Sequence, residues 1–197
     1  MEQARRPLDP EAILAATEQI LRRHGPEKTS VVDVARVLGV SHAAVYKHFA
    51  SKQALREAVA KRWLGRDREA LAVVADDNKL SPADRLRGWL HAVLTVKQAK
   101  LREDPELFGA YVLLASTQAE VAVDHVADLL GQLTSIVAAG AADGTFATSD
   151  AAATARTIFH ATSRFTHIAF AGEWLNDGIE NELDAVCTLL LDGLRNH

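Results

Sequence analysis

The stretch SVVDVARVLGVSHAAVYKHF, residues 30–49, decides how the chain folds. Ser30 is an N-cap acceptor with Asp33 three places on, the spacing at which a side chain reaches back to a free amide and opens a helix. Gly39 stops that helix, because the turn that follows needs a backbone with positive φ. Ser41 then caps a second helix. Two short helices joined by so tight a turn must cross closely, and Ala35 stands at the crossing, where a larger side chain would force them apart. Val34, Leu38, Val40, Val45 and Phe49 supply a small apolar core. This is the arithmetic of a helix-turn-helix, whose second helix offers its first turn to base edges in the DNA major groove. Here that turn carries His42, Ala43 and Ala44.

Outward from this segment, helix boundaries are legible along the whole chain. Asp9-Pro10, Ser81-Pro82 and Asp104-Pro105 each place an N-cap acceptor before a proline, which presets φ and lacks the amide that would go unpaired. His24-Gly25-Pro26 and Asp143-Gly144 read as stops. The expected helices are about nine: 10–24, 31–38, 42–48, 52–75, 82–102, 105–118, 120–141, 150–172 and 180–195. Leu86, Trp89, Leu90 and Val93 recur at helical spacing, as do Phe108, Tyr111, Val112 and Ala115. Val126, Leu129, Leu130, Leu133 and Val137 form a third apolar stripe, and Leu183, Val186, Cys187, Leu190 and Leu194 a fourth. The expectation is an all-α protein, with a three-helix DNA-binding unit over residues 1–62 and a larger helical domain over 63–197.

Composition agrees. The chain has 197 residues, 48% of them hydrophobic, with only five prolines, a balance that favours helix. Its single cysteine, Cys187, rules out an internal disulfide and a thiolate zinc site. No apolar run approaches the roughly 20 residues of a membrane span, and the polar start is no signal sequence, so a cytoplasmic protein without membrane contact is expected. The net charge of −4 is unevenly divided. Residues 1–62 hold 11 Lys and Arg against 7 Asp and Glu, whereas residues 63–197 hold 11 against 19. A basic head on an acidic body is what a protein touching phosphates with one end shows.

From Ile13 to Leu55 the sequence resembles the tetracycline-repressor (TetR) family of bacterial regulators. Thr29, Val34-Ala35, Gly39-Val40-Ser41, Val45-Tyr46, His48-Phe49, Lys52 and Leu55 carry the resemblance, after a first helix with Ile13, Ala16 and Gly25. It implies that Thr29, Tyr46, His48 and Lys52 meet backbone phosphates of double-stranded DNA, while Ser41, His42, Ala43, Ala44 and Lys47 face the groove. His42 is the one side chain of that set placed to read a base by hydrogen bonds. Arg5 and Arg6 lie on an arm of the kind that enters a minor groove or stays a solvated tail.

The resemblance also implies a two-fold homodimer on a pseudo-palindromic operator, acting as a repressor released by a small effector. The last two helices are then the dimer seam, with Phe165, Leu183, Val186, Cys187, Leu190 and Leu194 as its candidate residues. Trp89, Val93, Phe108, Tyr111, Val112 and Phe159 are candidates to line a pocket for an apolar effector, with plain core packing as the alternative. A DNA-binding protein without an effector, or an interaction module that has lost DNA binding, are the rival readings. Arg156, His160, Arg164 and His167 fall on one side of the expected helix 150–172, but no carboxylate stands within a turn of either histidine to complete a metal site. Phosphate loops, nucleophile elbows and zinc-protease motifs are absent, so no enzyme, catalytic residue, metal or cofactor is expected.

Overall fold

The computed structural model describes residues 8–25, 29–117 and 119–195. Arg5 and Arg6 lie outside them. Among the described residues there is no β-strand, only an isolated bridge between Phe146 and Arg195. The helices are α1 (Pro10–His24), α2 (Val31–Leu38), α3 (His42–Tyr46), α4 (Lys52–Ala75), α5 (Pro82–Glu103), α6 (Pro105–Thr117), α7 (Ala119–Ala142), α8 (Ala151–Ala161), α9 (Ser163–Thr166) and α10 (Ile179–Leu194), with a 3₁₀ segment, Ile168–Glu173, before the last.

The capping residues act as their sequence positions require. An Asp9 carboxylate oxygen accepts the amide of Ala12 at 2.6 Å, and Gly25 closes α1 with φ +72°. The Ser81 hydroxyl accepts the Asp84 amide at 3.1 Å and donates to the Asp84 carboxylate at 2.6 Å. Asp150 accepts the amide of Ala153 at 2.8 Å to open α8.

The expected helix 150–172 is a correction. It breaks at Thr162, whose buried hydroxyl donates to the Ile158 carbonyl at 2.8 Å, and the Thr166 hydroxyl donates back to Thr162 in turn. The Thr162 backbone, at φ −98° and ψ 12°, leaves the helical region at this point. His167 then adopts an extended backbone and its ring nitrogen accepts the Ala169 amide, which starts the 3₁₀ segment. Arg156, His160, Arg164 and His167 therefore share no single face. Arg164 instead pairs with Glu173 and Glu182.

The chain divides into two compact units, one within residues 1–63 and 104–122, the other within 64–103 and 123–197. In the first, Ile13, Ala16, Ile20, Val31, Val34, Ala35, Val45 and Leu55 form a core, against which Leu8, Leu14, Leu38, Val40 and Phe49 pack. Helix α6 lies on α1. Arg22 of α1 donates through Nε to Asp104 at 2.5 Å, and the buried Glu18 stands 3.8 Å from both Arg22 and Arg62.

The second unit is held by Leu86, Trp89, Leu90, Leu94, Leu133, Ile136, Ile158, Trp174, Ile179 and Leu183, all fully buried. Removing each Leu or Ile side chain from water stabilises by about 1.5–3 kcal/mol. Polar ties fix the register: Trp89 Nε1 donates to Gln132 at 2.8 Å, and Gln132 donates to the Arg68 carbonyl at 3.0 Å. Asp184 accepts from Arg87 at 2.7 Å and lies 3.0 Å from His91 Nε2, and the two hold its carboxyl below the usual range.

Candidate nucleic-acid interface

The recognition surface is built on the crossing of α2 and α3. The Ser30 hydroxyl accepts the Asp33 amide at 3.2 Å and donates to the Asp33 carboxylate at 2.5 Å, while Arg36 donates to the same carboxylate at 2.9 Å. Those bonds pull the Asp33 carboxyl below its ordinary pKa, the Ser30 hydroxyl being the largest cause. Gly39 takes φ +64°, ψ 32°, so that its own amide reaches Arg36 and the Val40 amide reaches the Ala35 carbonyl at 3.0 Å. The chain thereby turns within two residues, and the Ser41 hydroxyl caps α3 by accepting from Ala44 at 3.2 Å. Val45 pins α3 to the core, with no exposed surface at all.

With Val45 inward, the other residues of this short helix face out. Ser41, His42, Ala43, Tyr46, Lys47 and His48 are exposed and Ala44 is half-buried. His42 and Tyr46, like Ala43 and Lys47, are four apart and so share a side. After Tyr46 the backbone leaves the helix: the His48 and Phe49 amides both return to the Val45 carbonyl, which sets His48 on a turn rather than on α3. Lys52 opens α4, half-buried, one residue after Ser51, whose hydroxyl accepts the Ala54 amide at 3.0 Å. Ser51 is missing from the residues that the sequence pattern marks, although a serine directly before a helix is the usual cap signal.

Thr29 is not brought to this surface. Its side chain is buried and its hydroxyl donates to the Gly25 carbonyl at 2.8 Å, which leaves no free proton for a phosphate.

The six residues expected to line a pocket are divided between the two units. Trp89, Val93 and Phe159 belong to the second unit, Phe108, Tyr111 and Val112 to the first. Phe108 and Tyr111 close on Trp63, with ring centroids 6.3 and 5.8 Å away. The space left beside Trp63 and Tyr111, lined also by Leu21, Val59 and Leu107, is about 10 Å³, which admits a single water. These rings are core, and burial pushes the Tyr111 hydroxyl pKa up. Trp89 and Val93 are likewise fully covered, while Val112 and Phe159 are half-buried.

Of the residues expected at a dimer seam, Phe165, Leu183 and Cys187 are buried within the single chain and have no surface to offer a second copy. Val186, Leu190 and Leu194 are half-buried. The exposed apolar side chains nearby are Leu189, 74% exposed, with Leu175 and Phe170. Among the described residues no group of three or more His, Cys, Asp or Glu is placed to hold a metal, and no helix is long and apolar enough to cross a membrane.

Known proteins place this geometry in a family. Residues 13–59 match the family model of bacterial regulatory proteins of the tetR family, and residues 82–187 match that of the tetracyclin repressor-like C-terminal domain. Over 96 residues the chain is 31% identical to an uncharacterized HTH-type transcriptional regulator of Mycobacterium tuberculosis; this is 48% of the chain and 45% of that protein, so the chain spans about half the length of the curated relatives it matches. Two solved structures share the fold over nearly the whole chain. A protein of unknown function from Rhodococcus sp. RHA1 superposes with a TM-score of 0.75 at 24% identity, covering 99% of this chain and 100% of that one. SmeT, the repressor of the Stenotrophomonas maltophilia multidrug efflux pump SmeDEF, does so with 0.67 at 20%, covering 96% and 91%. With one family model covering more than half of its length and a second covering its helix-turn-helix, the chain belongs to the tetR family of bacterial regulatory proteins.

Proposed function

We propose that this protein is a cytoplasmic transcriptional repressor that binds a pseudo-palindromic operator as a homodimer and leaves it when a small effector binds the second unit. The observation that carries the reading is the outward row on α3 and its turn, His42, Ala43, Tyr46, Lys47 and His48, held rigid by the buried Val45 and by the two caps. His42 and Lys47 supply hydrogen-bonding groups to base edges, and the Ala43 and Ala44 methyls fit a thymine methyl. Tyr46, His48 and Lys52 fix the head on the phosphates.

Dimerisation is supported by Leu189, Leu175 and Phe170, apolar side chains that the chain itself leaves in water. Two heads on a two-fold axis read two half-sites about 34–36 Å apart. An effector that prefers another spacing of the heads lowers operator affinity by linkage. The test is a selection of fragmented host DNA by the purified full-length protein, followed by footprinting. An inverted repeat protected over two successive major grooves is the expected result, and sequence-indifferent recovery would overturn the reading.

A further inference from the structure

Three helices bring into the second unit four titratable side chains that no part of the DNA-binding surface uses. They are Asp67 on α4, Lys97 and Lys100 on α5, and His125 on α7. Lys100 is ion-paired with Asp67. Lys97 has no such carboxylate: its ammonium lies 5.4 Å from the centre of the Trp174 ring, and among the described residues no hydrogen-bond acceptor meets it. His125 likewise has no hydrogen-bond partner among the described residues. Both side chains are half-buried.

The charges around this group do not cancel. Lys100 and Asp67 neutralise each other, and Lys97 is left as one uncompensated cation. Burial, then repulsion from Lys100, lowers the Lys97 pKa to about 8 despite the attraction of Asp67. Burial and the two lysines together lower His125 to about 3, so its ring is neutral at physiological pH and keeps an N–H to donate. Holding a half-buried cation without an anion is costly, and a neutral donor within the field of the same lysine offers one anion a second group. A polyphosphate does not fit, because Asp67 repels a second and third charge.

The surroundings are apolar. One turn from each polar group stand buried hydrophobic residues: Val93 and Leu94 before Lys97, Leu64 and Leu71 around Asp67, and Leu129 after His125. Trp174 is fully covered beneath the Lys97 ammonium, and its Nε1 is tied to the Arg164 carbonyl at 3.0 Å, so the ring is fixed. The aromatic stripes themselves carry no clustered cations. Lys97 and Lys100 stand three apart on the next face of α5, and His125 joins them from a helix that begins 16 residues after α5 ends.

We propose that the effector is a monoanionic amphiphile, a carboxylic acid on an apolar body, whose carboxylate is held by Lys97 and His125 while Lys100 stays with Asp67. This rests on the reading of the second unit as an effector domain, and it narrows that effector from any apolar molecule to an acid.

The test uses the full-length protein with two acids, decanoate and 1-naphthoate, each beside its neutral counterpart, decan-1-ol and 1-naphthalenemethanol. Calorimetry reads affinity, and operator release is followed separately on labelled DNA. At least one acid should bind, its alcohol about tenfold to a hundredfold more weakly, the worth of one charge-assisted hydrogen bond. Lys97→Met should erase that preference and Lys97→Arg should keep it. At pH 8 acid binding should also take up protons, seen as a heat that depends on the buffer, because an anion raises the pKa of a half-titrated Lys97; Lys97→Met should abolish the uptake. Equal binding of acid and alcohol, an acid preference surviving in Lys97→Met, or no binding of either acid would each overturn the proposal. Alcohols that release the operator as well as the acids do would overturn it while leaving the effector domain in place. Acids that bind through Lys97 without releasing the operator would uphold the site and overturn its role as an effector site.

Discussion

The ring of Phe146 lies directly on the backbone of Gly140: a Cβ at residue 140 would stand 2.1 Å from Phe146 Cδ2 and 2.5 Å from Cε2. The amide of Phe146 also returns to the Gly140 carbonyl at 2.9 Å, and the next amide, that of Ala147, reaches the Leu194 carbonyl at 2.7 Å. The end of α7 and the end of α10 are thus joined through one aromatic residue that only glycine admits.

Gly140→Ala therefore destabilises the protein, although alanine is normally the better helix former by about 0.8–1.0 kcal/mol. Displacing the ring costs about 1–3 kcal/mol, the usual range for overpacking, so the net loss is up to about 2 kcal/mol. A thermal melt should show a lower midpoint, and Phe146→Leu in the same chain should recover part of the loss by making room. A Gly140→Ala variant as stable as the parent would show that the ring moves aside freely.

Lys52→Ala and His42→Ala should fail in different ways on DNA. A phosphate contact contributes about −0.9 to the slope of log affinity against log salt, so losing Lys52 from both subunits flattens the slope by nearly two units while base preference stays unchanged. Losing His42 should leave the slope alone and relax preference at one position of each half-site by about 1–3 kcal/mol. Fluorescence anisotropy across a salt series and a randomised-operator selection separate the two. An unchanged slope removes Lys52 from the phosphate contacts, and uniform weakening on all sequences makes His42 a backbone contact.

Leu189→Asp should separate association from folding. Leu189 is 74% exposed, so a carboxylate there leaves the single chain intact, yet in a dimer seam it would bury an unpaired charge. Sedimentation should show monomer with an unchanged helical circular dichroism spectrum, and operator affinity should fall because one head lacks the gain from tethering. A stable dimer would place the seam elsewhere. Leu183→Asp is the contrasting variant: Leu183 is wholly buried in the chain and its loss unfolds the second unit.

The pH dependence of stability has a predictable sign at His125. Its folded pKa, about 3, is below the ordinary 6.5, so the folded state resists binding a proton that the unfolded state accepts. Its contribution is full above pH 6.5 and is lost as pH falls toward 3, with a slope of at most about 1.4 kcal/mol per pH unit. Asp33, Asp143, Glu180 and Asp184, whose carboxyls are held low, contribute only further down. The window from pH 6.5 to 5 lies above those carboxyls, and Asp67, whose carboxyl pKa burial raises, acts there in the opposite direction, so the difference between the parent and a His125 variant is what reports the histidine. Urea melts should lose stability there in the parent, and His125→Gln should flatten that loss.

How much of the fold is legible in the sequence depends on the range of the interaction. Ser30, Ser41 and Gly39 act on amides and carbonyls within five residues, so the helix-turn-helix and most helix starts can be read from residue order alone. Periodicity shows that Phe108 and Tyr111 are inward, but not toward what; their partner is Trp63, more than forty residues earlier. The break after α8 is marked by no glycine or proline: Thr162 and His167 leave the helical region and Trp174 donates to the Arg164 carbonyl, none of which a 3.6-residue period contains. Lys97 and His125 each look like an ordinary solvated residue, and only the packing of α5 beside α7 makes them neighbours. The buried residues expected at the dimer seam fail for a related reason: an apolar stripe on α10 says which side is inward, and Leu189, off that stripe, is the one left in water.

The junction of α6 with α1 bears on how the protein is made. The unit that carries the recognition surface is not continuous in the chain: its last helix, tied through Asp104 to Arg22, is synthesised only after the whole of α5. While the ribosome is still adding α5, Leu21, Val59 and Trp63 have no Leu107, Phe108 or Tyr111 to cover them, and the head waits half-built with that apolar face in water. Closure of the head thus comes after synthesis of the helix that bears Lys97 and Lys100, so a nascent chain cut short before residue 105 has the reading residues of α3 but not the helix that completes the core beneath them.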